Sequence, residues 1–199
     1  MARISIIGVM GSGTDSYPEL ARPVGRLAAR LGCHLLTGGG SGVMDEVSRA
    51  FCETVPRAGL SIGILKGRAD QALRDGQSYL RYTASPPNPW IELPIRTHLP
   101  LSGDQGREPG SRNHINVLSS DILIALPGGP GTLSEVMLRL SYGRNVILFL
   151  GGYRIDDCSA DYFTSQSVYR HQVTAAETVT HLESIIREQL DNDPIISNR

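Results

Sequence analysis

The stretch Asp121–Val136, DILIALPGGPGTLSEV, decides the fold. Its apolar run Ile122–Leu126 has the length and composition of a buried strand in a parallel sheet. The run breaks at Pro127-Gly128-Gly129-Pro130-Gly131, and a helical pattern begins at Thr132. Glycines in such a turn let the backbone take positive φ and let a ligand approach where a Cβ would otherwise stand. A helix start adds unpaired N–H groups and the positive end of the helix dipole, which together attract an anion. Glu135 sits in the first turn, beside whatever this cradle holds. The residues alone leave two readings open: a phosphate site with a carboxylate directed into it, or a turn whose glycines serve geometry only.

The same rhythm extends in both directions. Ile4–Gly8 reads as a strand that runs into the loop Val9-Met10-Gly11-Ser12-Gly13-Thr14-Asp15-Ser16. A helix follows with Leu20, Val24, Leu27, Ala28 and Leu31 on one face and Gly32 as its stop, which confines Pro23 to its first turn. Cys33–Thr37 is a second strand, Gly38-Gly39-Gly40-Ser41-Gly42 a second glycine turn, Val43–Val55 a second helix and Leu60–Leu65 a third strand. Beyond Asp121–Val136, the helix from Thr132 to Tyr142 stops at Gly143, and Asn145–Leu150 is another strand. Thr174-Ala175-Ala176-Glu177 has the form of a capping box that opens a last helix, with Val179, Leu182, Ile186 and Leu190 along one side. The tail from Asp191 is expected to fray, and Met137, Leu138 and Leu140 are candidates for a contact between subunits. Strands alternating with helices imply an α/β fold: a single Rossmann-like domain over residues 1–199 with a doubly wound, mostly parallel sheet. Ligands of such sheets bind at the carboxyl ends of the strands, where the glycine turns lie.

Residues 66–111 interrupt the pattern with six prolines and little periodicity. Only Trp90–Ile95 (WIELPI) is strand-like, and Pro94 marks it as an edge. A loop of this length suits an insert at the ligand-binding edge, with Arg96 and His98 offering polar and positive groups over the pocket mouth. A short helix, Ser111–Ser119, then returns to the opening stretch, and from Ser111-Arg112-Asn113-His114 the guanidinium of Arg112 can reach the cradle. Arg112 and Glu135 around one pocket suit chemistry at a ribosyl carbon; they equally suit a salt bridge that pins two helices.

Bulk properties remove several function classes. A net charge of −1 gives no basic field for nucleic acid or a membrane surface. No apolar run is long enough to span a membrane, and three widely spaced cysteines fit reduced thiols, so the expected location is the cytoplasm. The five histidines show no ligand spacing, and no metal site is expected. A Walker loop is excluded because no Gly-Lys-Ser/Thr occurs. NAD is excluded by the lack of a full G-x-G-x-x-G with an acidic partner. Pyridoxal phosphate would need a Schiff-base lysine, for which Lys66, just past a strand, is poorly placed.

Gly39–Val47 and Gly128–Val136 both read G-G-x-G-x-x-x-E-V, each after an apolar strand and at a helix start. With Gly11, Ser12 and Gly13 they predict three backbone-lined pockets along one rim. The candidate binding residues are therefore Gly11, Ser12, Gly13, Gly39, Gly40, Ser41, Gly42, Met44, Arg96, His98, Arg112, Asn113, Pro127, Gly128, Gly129, Gly131, Thr132 and Glu135.

At these residues the chain resembles a known superfamily. TGGGSGVMDEVSRAF (Thr37–Phe51) and RNHINVLSSDILIALPGGPGTLSE (Arg112–Glu135) look like the two signatures of the Lonely Guy phosphoribohydrolases, once labelled lysine decarboxylases, and of the related molybdenum cofactor carrier proteins. The resemblance implies a modified Rossmann fold assembled as a dimer or tetramer. The hydrolase branch implies cleavage of a cytokinin or purine riboside 5′-monophosphate with Arg112 and Glu135 as catalytic residues. The usual Arg-Lys pair of that branch is Arg112-Asn113 here, however, and its frequent acid before the final glutamate is Ser134. Pro87–Asn116 looks more like the carrier branch, which implies molybdenum cofactor as bound cargo and molybdoenzymes as its recipients.

Overall fold

The structure, a computed structural model, describes residues 3–192. Seven strands form one sheet: β1 (Ile6–Met10), β2 (His34–Thr37), β3 (Ser61–Leu65), β6 (Leu93–Arg96), β7 (Ile122–Ala125), β8 (Val146–Leu148) and β9 (Val173–Ala175). Their order is β6-β3-β2-β1-β7-β8-β9, and every neighbouring pair is parallel. The chain works outward from β1 on one side, then crosses back to β7 and works outward on the other. The order therefore reverses between β1 and β7, and at such a switch point the loops leaving the two strands diverge and open a crevice.

Among the described residues six helices cover the sheet: α1 (Pro18–Arg30), α2 (Val43–Cys52), α3 (Asn113–Ser119), α4 (Pro130–Ser141), α5 (Ala160–Ser165) and α6 (Val179–Asn192). Successive strand side chains point to opposite faces, so each central strand feeds two cores. Ile122 and Ile124 of β7 join Leu27, Phe51, Leu182 and Ile186 from α1, α2 and α6. Leu123 and Ala125 join Val117, Val136, Leu138 and Phe163 from α3, α4 and α5. Leu138 and Leu140, expected at a subunit contact, are instead buried in this second core, with Met137 packed against it. The apolar stripe of α4 is consumed by its own sheet.

Element ends differ from the sequence expectations in instructive ways. Residues 67–84, read as irregular, form an antiparallel hairpin of β4 (Gly67–Arg74) and β5 (Gln77–Ala84). Its turn is Asp75-Gly76, both at positive φ, the two-residue Asp-Gly connection that hairpins favour. The many prolines elsewhere in the insert obscure that signal. β6 does lie at the sheet edge, with Pro94 opposite Gly63. Pro18, not Pro23, occupies the first turn of α1; Pro23 lies inside the helix and removes one backbone donor there. α2 ends at Cys52 rather than Val55. Thr174 belongs to β9, and the final helix is capped one turn later, where Thr178 Oγ1 accepts from His181 N at 3.1 Å. A β-branched residue between apolar neighbours suits a short strand as well as a cap. Asp191 and Asn192 are helical; the rest of the expected tail lies outside the described residues. Among the described residues no helix is long and apolar enough to cross a membrane.

Where α1 crosses α2, Gly25 lets the backbones touch: a Cβ there would overlap the Val47 carbonyl and press on Phe51 N. Gly25→Ala therefore forces the two helices apart despite the better helix propensity of alanine. It is expected to cost about 1–3 kcal/mol, read as a lowered urea midpoint with an unchanged m-value.

Candidate functional site

The loops that leave β1, β2 and β7 lie side by side because their strands do, and Ser12 locks them together. Its N–H donates to Pro127 O at 2.9 Å, and its carbonyl accepts from Val43 N at 2.9 Å. Its hydroxyl accepts from the Thr14 and Asp15 amides at 3.2 and 3.0 Å. Ser41 Oγ adds a bond to Gly13 O at 2.5 Å. The fit requires glycine at Gly42, whose φ is +66° and whose Cβ would fall 2.5 Å from Ser12 O. Gly128 is equally closed, since a Cβ would meet Thr132 Oγ1 and Ser12 N.

The result is one cleft of about 470 Å³, rather than three pockets. It brings together Gly11, Ser12, Gly13, Gly39, Gly40, Ser41, Met44, Arg112, Asn113, Gly129, Gly131, Thr132 and Glu135. Gly42, Pro127 and Gly128 shape the loops from behind and do not line it. Arg96 and His98 are exposed at and beyond the end of β6 and do not line it either. Sequence reasoning missed Gly38, Lys66, Ser85, Ser102 and Gly103, which do. It also missed Asn88, which ties the insert to the second loop: its N–H donates to Gly39 O and its Nδ2 to Gly40 O, both at 2.8 Å. The Pro-Asn-Pro setting of Asn88 marks a turn but gives no hint of its partner. Gly38 stood inside the quoted glycine run; its purpose appears only with Arg112, whose guanidinium a Cβ there would overlap.

Arg112 is buried at the cleft wall, where Nη1 donates to Ile64 O at 2.6 Å and Nε has no partner. Burial works against its charge, and the nearby Glu135 partly offsets that. Asn113 is buried beside it; its Oδ1 is likewise unpaired, and its Nδ2 lies 3.5 Å from Ser134 Oγ. Ser134 Oγ is 2.7 Å from Gly103 O and 2.8 Å from Gly131 O, so the 102–106 loop, a single 3-10 turn at Gly103–Gln105, is fastened over the start of α4. At that start the amides of Gly131 and Thr132 have no intrahelical carbonyl to reach, which leaves donors for an anion.

Glu135 makes no ion pair with Arg112 among the described residues. Its Oε1 accepts from Asn116 Nδ2 at 3.1 Å. Burial pushes its carboxyl above the ordinary value, and the charge of Arg112 and the Asn116 bond only partly counter this. Glu46, its counterpart in the repeated motif, is in the opposite situation. Burial there also favours the neutral form, but hydrogen bonds from Arg22 and from Arg49 (2.6 Å) outweigh it and hold the carboxyl below the usual range. The cause is helix phase. α4 begins at Pro130 and α2 only at Val43, two residues later in the shared pattern. At ~100° per residue the two glutamates therefore leave their helices on nearly opposite sides. Glu135 faces the cleft, and Glu46 faces the arginines of α1 and α2.

With this geometry in place, comparison with known proteins is informative. The model of the SLOG cluster4 family matches residues 4–183. The chain belongs to that family. A protein of Archaeoglobus fulgidus, described as uncharacterized, is 32% identical over 143 residues, covering 70% of this chain and 76% of its own. Among solved structures, the molybdenum cofactor carrier protein of Chlamydomonas reinhardtii is 29% identical with a TM-score of 0.71, covering 96% of this chain and 100% of its own. The molybdenum cofactor binding protein of Rippkaea orientalis is 32% identical with a TM-score of 0.67, covering 94% and 98%. The resemblance read from the two glycine signatures is thus borne out at the level of the superfamily.

The raised Glu135 carboxyl has a consequence for stability. Because the folded state holds this proton more tightly, its contribution is fully present below the unfolded value of 4.5. It is lost as pH rises through the folded value. Relative to Glu135→Gln, which stays neutral, the wild type should lose stability over that interval. Urea titrations of both proteins from pH 4 upward test this; parallel curves would disprove it.

Proposed function

We propose that this chain binds and carries a phosphate-bearing pterin, molybdenum cofactor, in the cleft between β1 and β7. The observation that carries the reading is the pairing of an anion cradle with buried, unsatisfied recognition groups on its wall. The backbone donors of Gly129, Gly131 and Thr132, with Gly13 opposite, suit a terminal phosphate. Arg112 Nε and Asn113 Oδ1 are buried without partners, and such groups are costly to leave unmet. One offers a donor to the oxyanion-like molybdenum centre, the other an acceptor for a ring N–H. Met44, Leu65 and the Cβ-free stretch Gly38–Gly40 line the space for a flat ring. The similarity to carrier and binding proteins of this cofactor along nearly the whole chain supports the assignment. In this reading the protein works as a homo-oligomer and passes its cargo to molybdoenzymes.

A second reading, hydrolysis of a nucleoside 5′-monophosphate, draws on the convergence of Arg112 and Glu135 on the cleft. The environment of Glu135 favours carriage instead. Burial shifts the Glu135 carboxyl towards its neutral form, which weakens it as a base or cation stabiliser, and its side-chain bond is to Asn116 rather than to Arg112.

Protein isolated from cells that make the cofactor should contain molybdenum and a pterin by elemental analysis and by fluorescence after oxidation. Gly38→Ala, which displaces the Arg112 guanidinium, should lower that content at least about tenfold, the loss of one charge-assisted hydrogen bond. Wild-type protein without pterin would defeat the proposal. Release of free base from AMP or a cytokinin monophosphate, abolished by Glu135→Ala, would establish the hydrolase instead.

A further inference from the structure

Lys66, the chain's single lysine, stands where two hollows meet. On one side it lines the cleft. On the other, together with Ser85, it lines a second hollow of about 320 Å³ beneath the β4–β5 hairpin. That hollow is completed by Gly67, Arg68, Thr83, Ala84 and Pro100. Its base is fixed, since Gly67 N donates to Leu99 O at 3.2 Å and a Cβ on Gly67 would overlap Thr97 O and the Tyr82 ring. The two residues shared by the hollows, Lys66 and Ser85, are both polar, so the way from one to the other is lined by an ammonium and a hydroxyl.

The chemistry of the second hollow is one-sided. Its described lining offers two cations and two hydroxyls and no carboxylate. Asp70 lies nearby, but its Oδ1 accepts from Arg68 Nε at 2.6 Å in an exposed pair that water screens. Lys66 enters none of the ion pairs of the described residues. In the cleft itself Arg112 is anchored to Ile64 O at the wall, and Lys66 is the cation that lines both hollows. The cleft alone is large enough for a mononucleotide, and a cationic annex would add nothing to the recognition of such a ligand.

Building on the cofactor reading, we propose that the ligand extends past Lys66 into the hollow beneath the hairpin. The chain then takes a dinucleotide: its pyrophosphate passes the Lys66 ammonium and the nucleoside beyond it lies against Thr83 and Ser85. A lysine suits this place because its flexible stem carries a point charge that can follow a bridging phosphate without fixed geometry. Lys66 is thus a specificity residue that favours the dinucleotide over the mononucleotide form of the same pterin.

The test uses full-length protein produced in a bacterium that makes both forms of the cofactor. Native mass spectrometry reads the mass of the bound pterin. The dinucleotide form should predominate on the wild type, and Lys66→Met should lower the dinucleotide-to-mononucleotide ratio about tenfold. Because there is one lysine, acetic anhydride labelling followed by peptide mass spectrometry gives a second readout, with Lys66 protected on loaded protein and modified on ligand-free protein. Mononucleotide alone on the wild type, an unchanged ratio in Lys66→Met, or equal labelling with and without ligand overturns the dinucleotide inference and leaves carriage standing. Absence of any pterin overturns both.

Discussion

The bonds made by Ser12 hold the binding edge of this protein in one shape. Three strand ends carry long stretches of glycine, and glycine-rich backbone has more conformational freedom to lose on folding than any other. A single residue gives its N–H to the β7 loop, its carbonyl to the start of α2 and its hydroxyl to two amides of its own loop. The two main-chain bonds reach different elements and the hydroxyl bonds stay within the loop, so the loops are ordered relative to one another as well as individually. The tight glycines follow from this. Gly42 and Gly128 are required because the loops are drawn so close to Ser12 that no Cβ fits between them.

The repeated G-G-x-G-x-x-x-E-V pattern shows how one local sequence yields two electrostatic outcomes. The strand, turn and helix are similar, yet the helices begin two residues apart in the motif. Pro130 promotes an early start, since proline is favoured in a first turn, whereas Ser41 is used to hold Gly13 O and the second helix waits until Val43. One glutamate is held below the usual carboxyl range between two arginines, and the other is raised above it by burial in a cleft wall.

Much of the architecture was legible in the sequence because the strands alternate with helices and stop at glycines. The central strands β1, β2, β3 and β7, the helices that follow β1, β2 and β7 and the edge position of β6 all follow from periodicity and from Pro94. Most of the thirteen predicted residues that do line the cleft were accessible because they sit in glycine turns at carboxyl strand ends or in the helices that follow, and Arg112 and Asn113 because they open the short helix before β7. What escaped depends on contacts distant in sequence. Asn88 meets Gly39 and Gly40 across 48 positions for its side-chain bond, and Gly38 matters because of Arg112, 74 positions further along the chain. The hairpin was missed for a local reason: its Asp75-Gly76 signal is flanked by strands whose faces are exposed on both sides, so no apolar alternation marks them. Thr174 and Thr178 show the opposite difficulty, two equally plausible caps distinguished only by the pairing of β9 with β8.

The bond from Arg112 to Ile64 O has a kinetic consequence. The guanidinium is held by main chain before any ligand arrives, so loading requires no rotamer search at this side chain. An anchor of that kind lowers the reorganisation cost in both directions. A site anchored in this way selects its contents by shape and charge rather than by rearrangement.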